Sequence, residues 1–359
     1  MTGVFAQDYA EARAGFLAAA AKRGLPVAGV LHPRKGAQGE ELVMDSVLLG
    51  PVDSDALLIV TSGTHGVEGF CGSGCQRAML DDEELLGRIE AAKLAVLLVH
   101  AVNPWGFSYL RRANEDNIDL NRNFFDASQR PPRNATYEDL HDLLLPAEWP
   151  PTQANRAALL GKYQGLGHQA FQAAVTVGQD SRSDGLFFCG AAPSWSNRTL
   201  RELVKRHGAG KRRIGWIDIH TGLGPSGHGE KIFAGRDDAA DLARARAWYG
   251  ADVMSYYDGG SASAEVKGSA VLCVHEECPG AEITLMGLEF GTVPFEAVLH
   301  ALRGAHWLEL HPDAPAPLRE GVQRAIRDAF YTDTDLWKGM ILGQSRIAVL
   351  QAVTALAPV

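Results

Sequence analysis

The chain has 359 residues, a formal net charge of −9 and 46% hydrophobic residues. An acidic balance of this size lacks the basic face that nucleic-acid phosphates need, so no nucleic-acid partner is expected. No uninterrupted apolar run reaches the length of a membrane span, and the first residues lack the cationic start and apolar core of a secretory signal; with five cysteines, an odd number, the expectation is reduced thiols in a cytoplasm and no membrane partner.

In chain order, Phe5, Tyr9, Ala12, Phe16 and Leu17 carry the spacing of an amphipathic first helix. Residues 27–31 and 41–49 read as strands around a turn at 33–36. The run 56–60 is short, apolar and bounded by Ser and Gly, the pattern of a buried strand. It delivers Thr64-His65-Gly66-Val67-Glu68-Gly69 into the turn at its C-terminal end, where open α/β sheets bind ligands. Residues 72–89 have helical spacing. The apolar run 94–100 is a second strand, ending in the turn Asn103-Pro104-Trp105-Gly106-Phe107, and residues 111–125 follow, dense in Arg, Asn and Asp.

From 126 to about 151 the chain is polar and proline-rich, which predicts an excursion over the surface; 155–177 reads as helix. Residues 214–219 form a third buried strand that delivers His220. A short strand at 230–234, a helix at 242–254 and a small, polar, mobile loop at 261–268 come next. A fourth strand, 283–290, ends in Glu289, and helices fill much of 293–310 and 318–330. With no internal repeat and no separating linker, the expectation is one domain over 1–359 with an insertion at about 126–190. The fold class is α/β, a mixed, mostly parallel twisted sheet flanked by helices.

His65 and Glu68, three residues apart in one tight turn, can converge on a single cation. His220 can join them from a separate strand. Two imidazoles and one carboxylate with a coordination position left for water make the donor set of a catalytic zinc. Alone, H-x-x-E is weak, since a surface His–Glu pair has the same spacing, and a lone His220 would read as a strand-end histidine.

Taken together, the motifs carry a family resemblance. His65-x-x-Glu68, Asn103-Pro104-x-Gly106-Phe107, Arg112-x-Asn114, Asp119-Leu120-Asn121-Arg122-Asn123-Phe124, Asp218-Ile219-His220 and Glu289-Phe290-Gly291 occur in that order. The series resembles the zinc carboxypeptidase superfamily over residues 57–292, in an uncharacterised bacterial group near the succinylglutamate desuccinylase/aspartoacylase branch. The resemblance implies one zinc per chain held by His65, Glu68 and His220, with Asp119 orienting a ligand imidazole. It further implies that Arg112 polarises the scissile carbonyl, that Asn121 and Arg122 grip a substrate carboxylate, and that Glu289 is the general acid/base. Arg111 neighbours Arg112, and the two could exchange roles. For Arg122 the competing reading is an ion pair with Asp119 or Asp126. Carboxypeptidases proper also place a mobile tyrosine before the final glutamate; Tyr256 and Tyr257 are candidates by order only.

The implied activity is hydrolysis of an amide bond in a small peptide, metallocarboxypeptidase-like, with a zinc-activated water and Glu289 moving its proton. The alternatives are an N-acyl-amino-acid deacylase and a zinc-binding module without turnover. Other motifs weigh less. Gly222-x-Gly224-x-x-Gly227 follows a strand, but Pro225 and Gly229 deny it the helix N-terminus a dinucleotide needs. Cys71 and Cys75 at i, i+4, and Cys273 and Cys278 around His275, read as packing and loop residues before they read as metal ligands.

Overall fold

The computed structural model describes residues 2–125 and 133–358. Seven strands form one sheet: β1 (Val27–Lys35), β2 (Glu41–Leu49), β3 (Ala56–Ser62), β4 (Ala95–His100), β5 (Arg213–Gly222), β6 (Gly229–Phe233) and β7 (Glu282–Gly291). Their spatial order is β1-β2-β4-β3-β5-β7-β6. The four central strands β4, β3, β5 and β7 run parallel, and β1, β2 and β6 add antiparallel pairs at the two sides. The fold is α/β, a mixed sheet flanked by helices, as the alternation of apolar runs and helical spacing predicts.

Strands covered on both faces read as near-continuous apolar runs, and β3 is apolar from Ala56 to Val60 before Thr61 and Ser62 close it. Leu58 and Val60 pack on one face with Phe70 and Cys75 of the helix Gly69–Asp81 and with Val349 and Val353 of the helix Asp335–Leu356. Leu57 and Ile59 pack on the other with Leu200 and Leu203 of the helix Trp195–Gly208 and with Val271 and Val274. A third cluster joins Val67, beside Glu68, to the helices Ala135–Leu144, Phe295–Leu310 and Ala316–Phe330. The polar residues at the C-terminal ends of β3, β5 and β7 are thereby brought to one edge between these layers.

Several elements differ from the sequence expectation for local reasons. The predicted helix 72–89 is two helices, Gly69–Asp81 and Glu83–Ala91, because the Asp82 carboxylate leaves the helical path to cap Leu85 N at 3.0 Å. Likewise 155–177 breaks at Gly167, which takes a positive φ of 79° that other residues resist. The predicted turn at 33–36 lies later: Pro33 is inside β1, and the register with β2 shifts between Leu31 and Lys35. A proline can sit there because β1 is an edge strand. Trp195 starts a helix capped by the Ser194 hydroxyl on Asn197 N at 3.1 Å.

Cys273 and Cys278 flank a short helix, Val274–Glu277. Part of the expected excursion, 126–132, lies outside the described residues, and part is the helix Ala135–Leu144. The helix Asp335–Leu356 was not anticipated. It is long and apolar enough to cross a membrane by length and composition, yet Ile341, Ala348, Val349 and Val353 are buried in the core beside the sheet.

Candidate metal centre

The turn after β3 is held by backbone bonds before any side chain acts. Val102 N and Asn103 N donate to Ser62 O and Gly63 O at 3.0 and 2.8 Å, and Val67 N donates to Arg111 O at 2.9 Å. Gly66 lies against the Asn103–Phe107 turn so closely that a Cβ there would sit 2.0 Å from the Gly106 carbonyl carbon. Only glycine fits, and its close approach sets where His65 and Glu68 point. The Asn103 side chain shapes the opposing turn by accepting from Gly106 N at 2.8 Å.

His65, Glu68 and His220 converge, with one donor atom of each within 4.8 Å of the others. His65 Nδ1 lies 2.9 Å from Glu68 Oε1, and His220 Nδ1 lies 2.9 Å from Glu68 Oε2. All three side chains are buried. His65 Nδ1 makes no hydrogen bond despite that proximity, a costly state for a buried polar atom. An orphaned imidazole nitrogen, a carboxylate and a second imidazole at one point fit the N/O donor set of zinc. Among the described residues this is the one such cluster of three.

Carboxylates back both imidazoles. Asp119 Oδ1 is 3.3 Å from His65 Nε2, and Asp218 Oδ2 is 2.7 Å from His220 Nε2. Asp119 sits just before the single turn Leu120–Arg122 and caps it by accepting from Asn121 N at 3.0 Å. Burial pushes Asp119 up, but Arg122, Arg112 and His65 outweigh it and hold its carboxyl well below the usual range. Burial likewise raises Glu68, and the two imidazoles overcome it, leaving that carboxyl well below its ordinary value. Burial lowers His220, but Asp218 and Glu68 carry the imidazole well above its ordinary value. Two carboxylates therefore favour positive charge at this point, whether from a proton or a metal ion.

Glu289 is the direct register partner of His220 across β5 and β7. Its Oε1 accepts from Leu223 N at 2.9 Å. Burial and the nearby Glu68 charge push its carboxyl up to about 7, in the range suited to proton transfer at neutral pH.

The three arginines separate. Arg112 donates to Asp119 Oδ2 and Glu68 Oε1, both at 2.9 Å, and its Nη2 is 2.9 Å from His65 Nε2. Arg122 donates to Asp119 Oδ1 at 3.1 Å and through Nε to Thr176 O at 2.9 Å. Both guanidiniums lie over the Phe187 ring, 5.2 and 5.1 Å from its centroid. For Arg122 the ion pair with Asp119 is thus present; Asp126 is outside the described residues. Arg111 turns away to Glu309 at 2.7 Å and does not border the cavity described next. Asn121 faces His220, with Nδ2 3.4 Å from Nε2, and its Oδ1 accepts from Ala270 N at 2.9 Å.

A cavity of about 120 Å³ opens on the cluster, bordered by His65, Arg112, Asn121, Arg122, His220 and Glu289. Apolar side chains such as Phe187, Leu223, Val271, Leu299 and Phe330 make up much of the remaining wall, with Asp218, Thr176, Ser263 and Ser269 among them. Tyr256 also reaches this wall, whereas the Tyr257 hydroxyl donates to Gly235 O at 3.1 Å.

Residues 5–344 match the family model described as "Protein of unknown function (DUF2817)". The chain belongs to that family. No curated protein matches this DUF2817 chain by sequence. Among solved structures it is similar to the carboxypeptidase A of Helicoverpa armigera, at 13% identity and a TM-score of 0.47, over 89% of this chain and 73% of that one. It is also similar to a metallo-carboxypeptidase of Pseudomonas aeruginosa, at 17% identity and 0.41, over 93% and 68%. A third, from Shewanella frigidimarina NCIMB 400 and provisionally named succinylglutamate desuccinylase/aspartoacylase, shares 15% identity at 0.38, over 81% and 72%. Likenesses this remote decide nothing about the site, whose chemistry stands on the residues of the DUF2817 chain itself.

Sequence reasoning missed four contributors. Asp218 was noted only as part of a motif, although a carboxylate two residues before a strand-borne histidine shares its face. Thr61 and Thr64, both bonded to Asp218, carried no signal in their spacing. Phe187 lies far from the cluster in sequence and could not have been placed there.

Proposed function

We propose that this protein is a zinc-dependent hydrolase of amide bonds, acting on a short peptide or an N-acyl amino acid. The observation that carries the reading is the convergence of His65, Glu68 and His220, with a His65 Nδ1 among them that makes no hydrogen bond. A zinc ion would be held by these three residues, and it would supply Lewis acidity toward a carbonyl and lower the pKa of water toward ~7. Glu289, beside His220 and facing the same cavity, accepts the proton of the attacking water and returns it to the leaving nitrogen. The Arg112 guanidinium borders the cavity and meets the negative charge that develops on the carbonyl oxygen. Asp119 and Asp218 stand behind the outer nitrogens of the two imidazoles, on the side away from Glu68. The apolar wall excludes water from the side away from the metal, which strengthens every charge interaction within.

An N-acyl-amino-acid deacylase is the second reading. The small cavity favours it, since it suits a short acyl group better than a long peptide. A zinc module without turnover is disfavoured by Glu289, which a structural site has no use for. The deciding experiment is a hydrolysis screen of the zinc-loaded protein against N-acyl amino acids and short peptides. Release of amine from either class, lost on chelation, supports the proposal; a folded, zinc-loaded protein inert to both panels would end it.

A further inference from the structure

We propose that Asp218 is a positioning residue for the metal centre: it fixes the tautomer of His220 and ties the two ligand-bearing strands together. This rests on the zinc-site reading above. Asp218 and His220 stand two apart on β5, so their side chains leave the same face of the sheet. The carboxylate is buried and borders the cavity, but both its oxygens are engaged within the protein, Oδ1 by Thr61 and Thr64 and Oδ2 by His220, so it acts through its neighbours.

The proton positions follow from donor chemistry. The Trp216 indole can only donate, and it reaches Thr61 Oγ1 at 2.9 Å. The single proton of the Thr61 hydroxyl is therefore free to go to Asp218 Oδ1, at 2.6 Å. Thr64 donates to the same oxygen at 2.8 Å. With Oδ1 doubly served, Oδ2 faces His220 Nε2 at 2.7 Å and accepts its proton. His220 in its neutral form then has its lone pair on Nδ1, the atom facing Glu68. Asn121 Nδ2, at 3.4 Å, does not compete, because Nε2 has no lone pair left to offer in this tautomer.

His65 lacks such an assignment. Its Nε2 has an acceptor, Asp119, at 3.3 Å and a donor, Arg112 Nη2, at 2.9 Å, which demand opposite tautomers. His220 is thus the anchored ligand. Thr64 extends the anchoring, since it immediately precedes His65 and bonds a residue of β5. Through it Asp218 holds the turn of one ligand against the strand of the other.

The test is zinc(II) affinity, measured by competition with a chromophoric chelator, on wild type, Asp218→Asn and Thr64→Val. Asn keeps the shape of Asp, but its amide would face Nε2 with a donor and favour the wrong tautomer. The expected loss for Asp218→Asn is about 10–100-fold in zinc affinity, with the metal-free protein still folded. In the zinc-loaded wild type, ¹⁵N-labelled histidine should show a strongly deshielded Nε2–H proton for His220, absent in Asp218→Asn. A purely structural role would not remove that signal from a folded protein. A folded Asp218→Asn that binds zinc like wild type and keeps the signal overturns the positioning role alone. Wild type that binds no zinc overturns the zinc-site reading together with it. Should Asp218→Asn fail to fold, Thr64→Val decides: weakened zinc binding supports the tie between the strands, and unchanged binding overturns it.

Discussion

Glu289→Gln isolates the proton-transfer step. Glu289 Oε1 accepts from Leu223 N at 2.9 Å, and a glutamine can keep that bond through its carbonyl, so the loop 223–228 should stay in place. Its carboxyl, pushed up to about 7 by burial and by Glu68, is close to half ionised at neutral pH and can both take and return a proton. An amide can do neither. General acid/base catalysis is worth about 10²–10⁴-fold, which is a barrier of about 2.7–5.4 kcal/mol at 1.36 kcal/mol per tenfold. The kcat of the zinc-loaded variant should fall by at least ~100-fold on any substrate the wild type hydrolyses, with KM and zinc content little changed.

The same raised pKa has a stability consequence of definite sign. A carboxyl that titrates higher in the folded protein favours folding while it is neutral. That contribution is complete below the ordinary glutamate pKa and is lost as pH rises through about 7. At pH 8, therefore, metal-free Glu289→Gln should melt no lower than metal-free wild type. The assay pairs steady-state kinetics with elemental analysis and a thermal melt. Unchanged kcat with zinc bound would refute the acid/base role, and a lower melt at pH 8 would refute the electrostatic account of its pKa.

Three further outcomes follow from the same geometry. His65→Ala and His220→Ala should each lose most of the roughly one zinc per chain expected of a three-ligand site; elemental analysis after dialysis checks this, and full retention in both variants would remove the site. Arg122→Met leaves Asp119 and the Thr176 carbonyl short of a donor; breaking such a buried pair costs about 3–5 kcal/mol, read as a lower urea midpoint, and an unchanged midpoint would show that the pair does not brace the turn. Gly66→Ala puts a Cβ into the backbone of Gly106 and Phe107; a loss of about 1–3 kcal/mol in stability and weaker zinc binding are expected in chemical unfolding and chelator competition, and unaltered binding would mean the turn can shift without moving His65.

Much of this protein was legible in sequence because its central strands are covered on both faces. Such strands read as largely apolar runs, and the polar residues at or just beyond their C-terminal ends emerge near one sheet edge. That is how His65, His220 and Glu289 could be grouped, and H-x-x-E placed Glu68 beside His65. By itself the sequence thus determined the α/β class, the central parallel strands and the ends that carry reactive groups. Only the tertiary structure decided how the arginines are spent, since Arg111 and Arg112 are adjacent yet one meets Glu309 and the other Asp119 and Glu68. Which way each side chain turns depends on partners distant in the chain, and no periodicity encodes them. The support of His220 was hidden for the same reason. Thr61 and Thr64 reach Asp218, and Trp216 reaches Thr61, only because β3 lies in parallel register with β5, and register is a property of the assembled sheet.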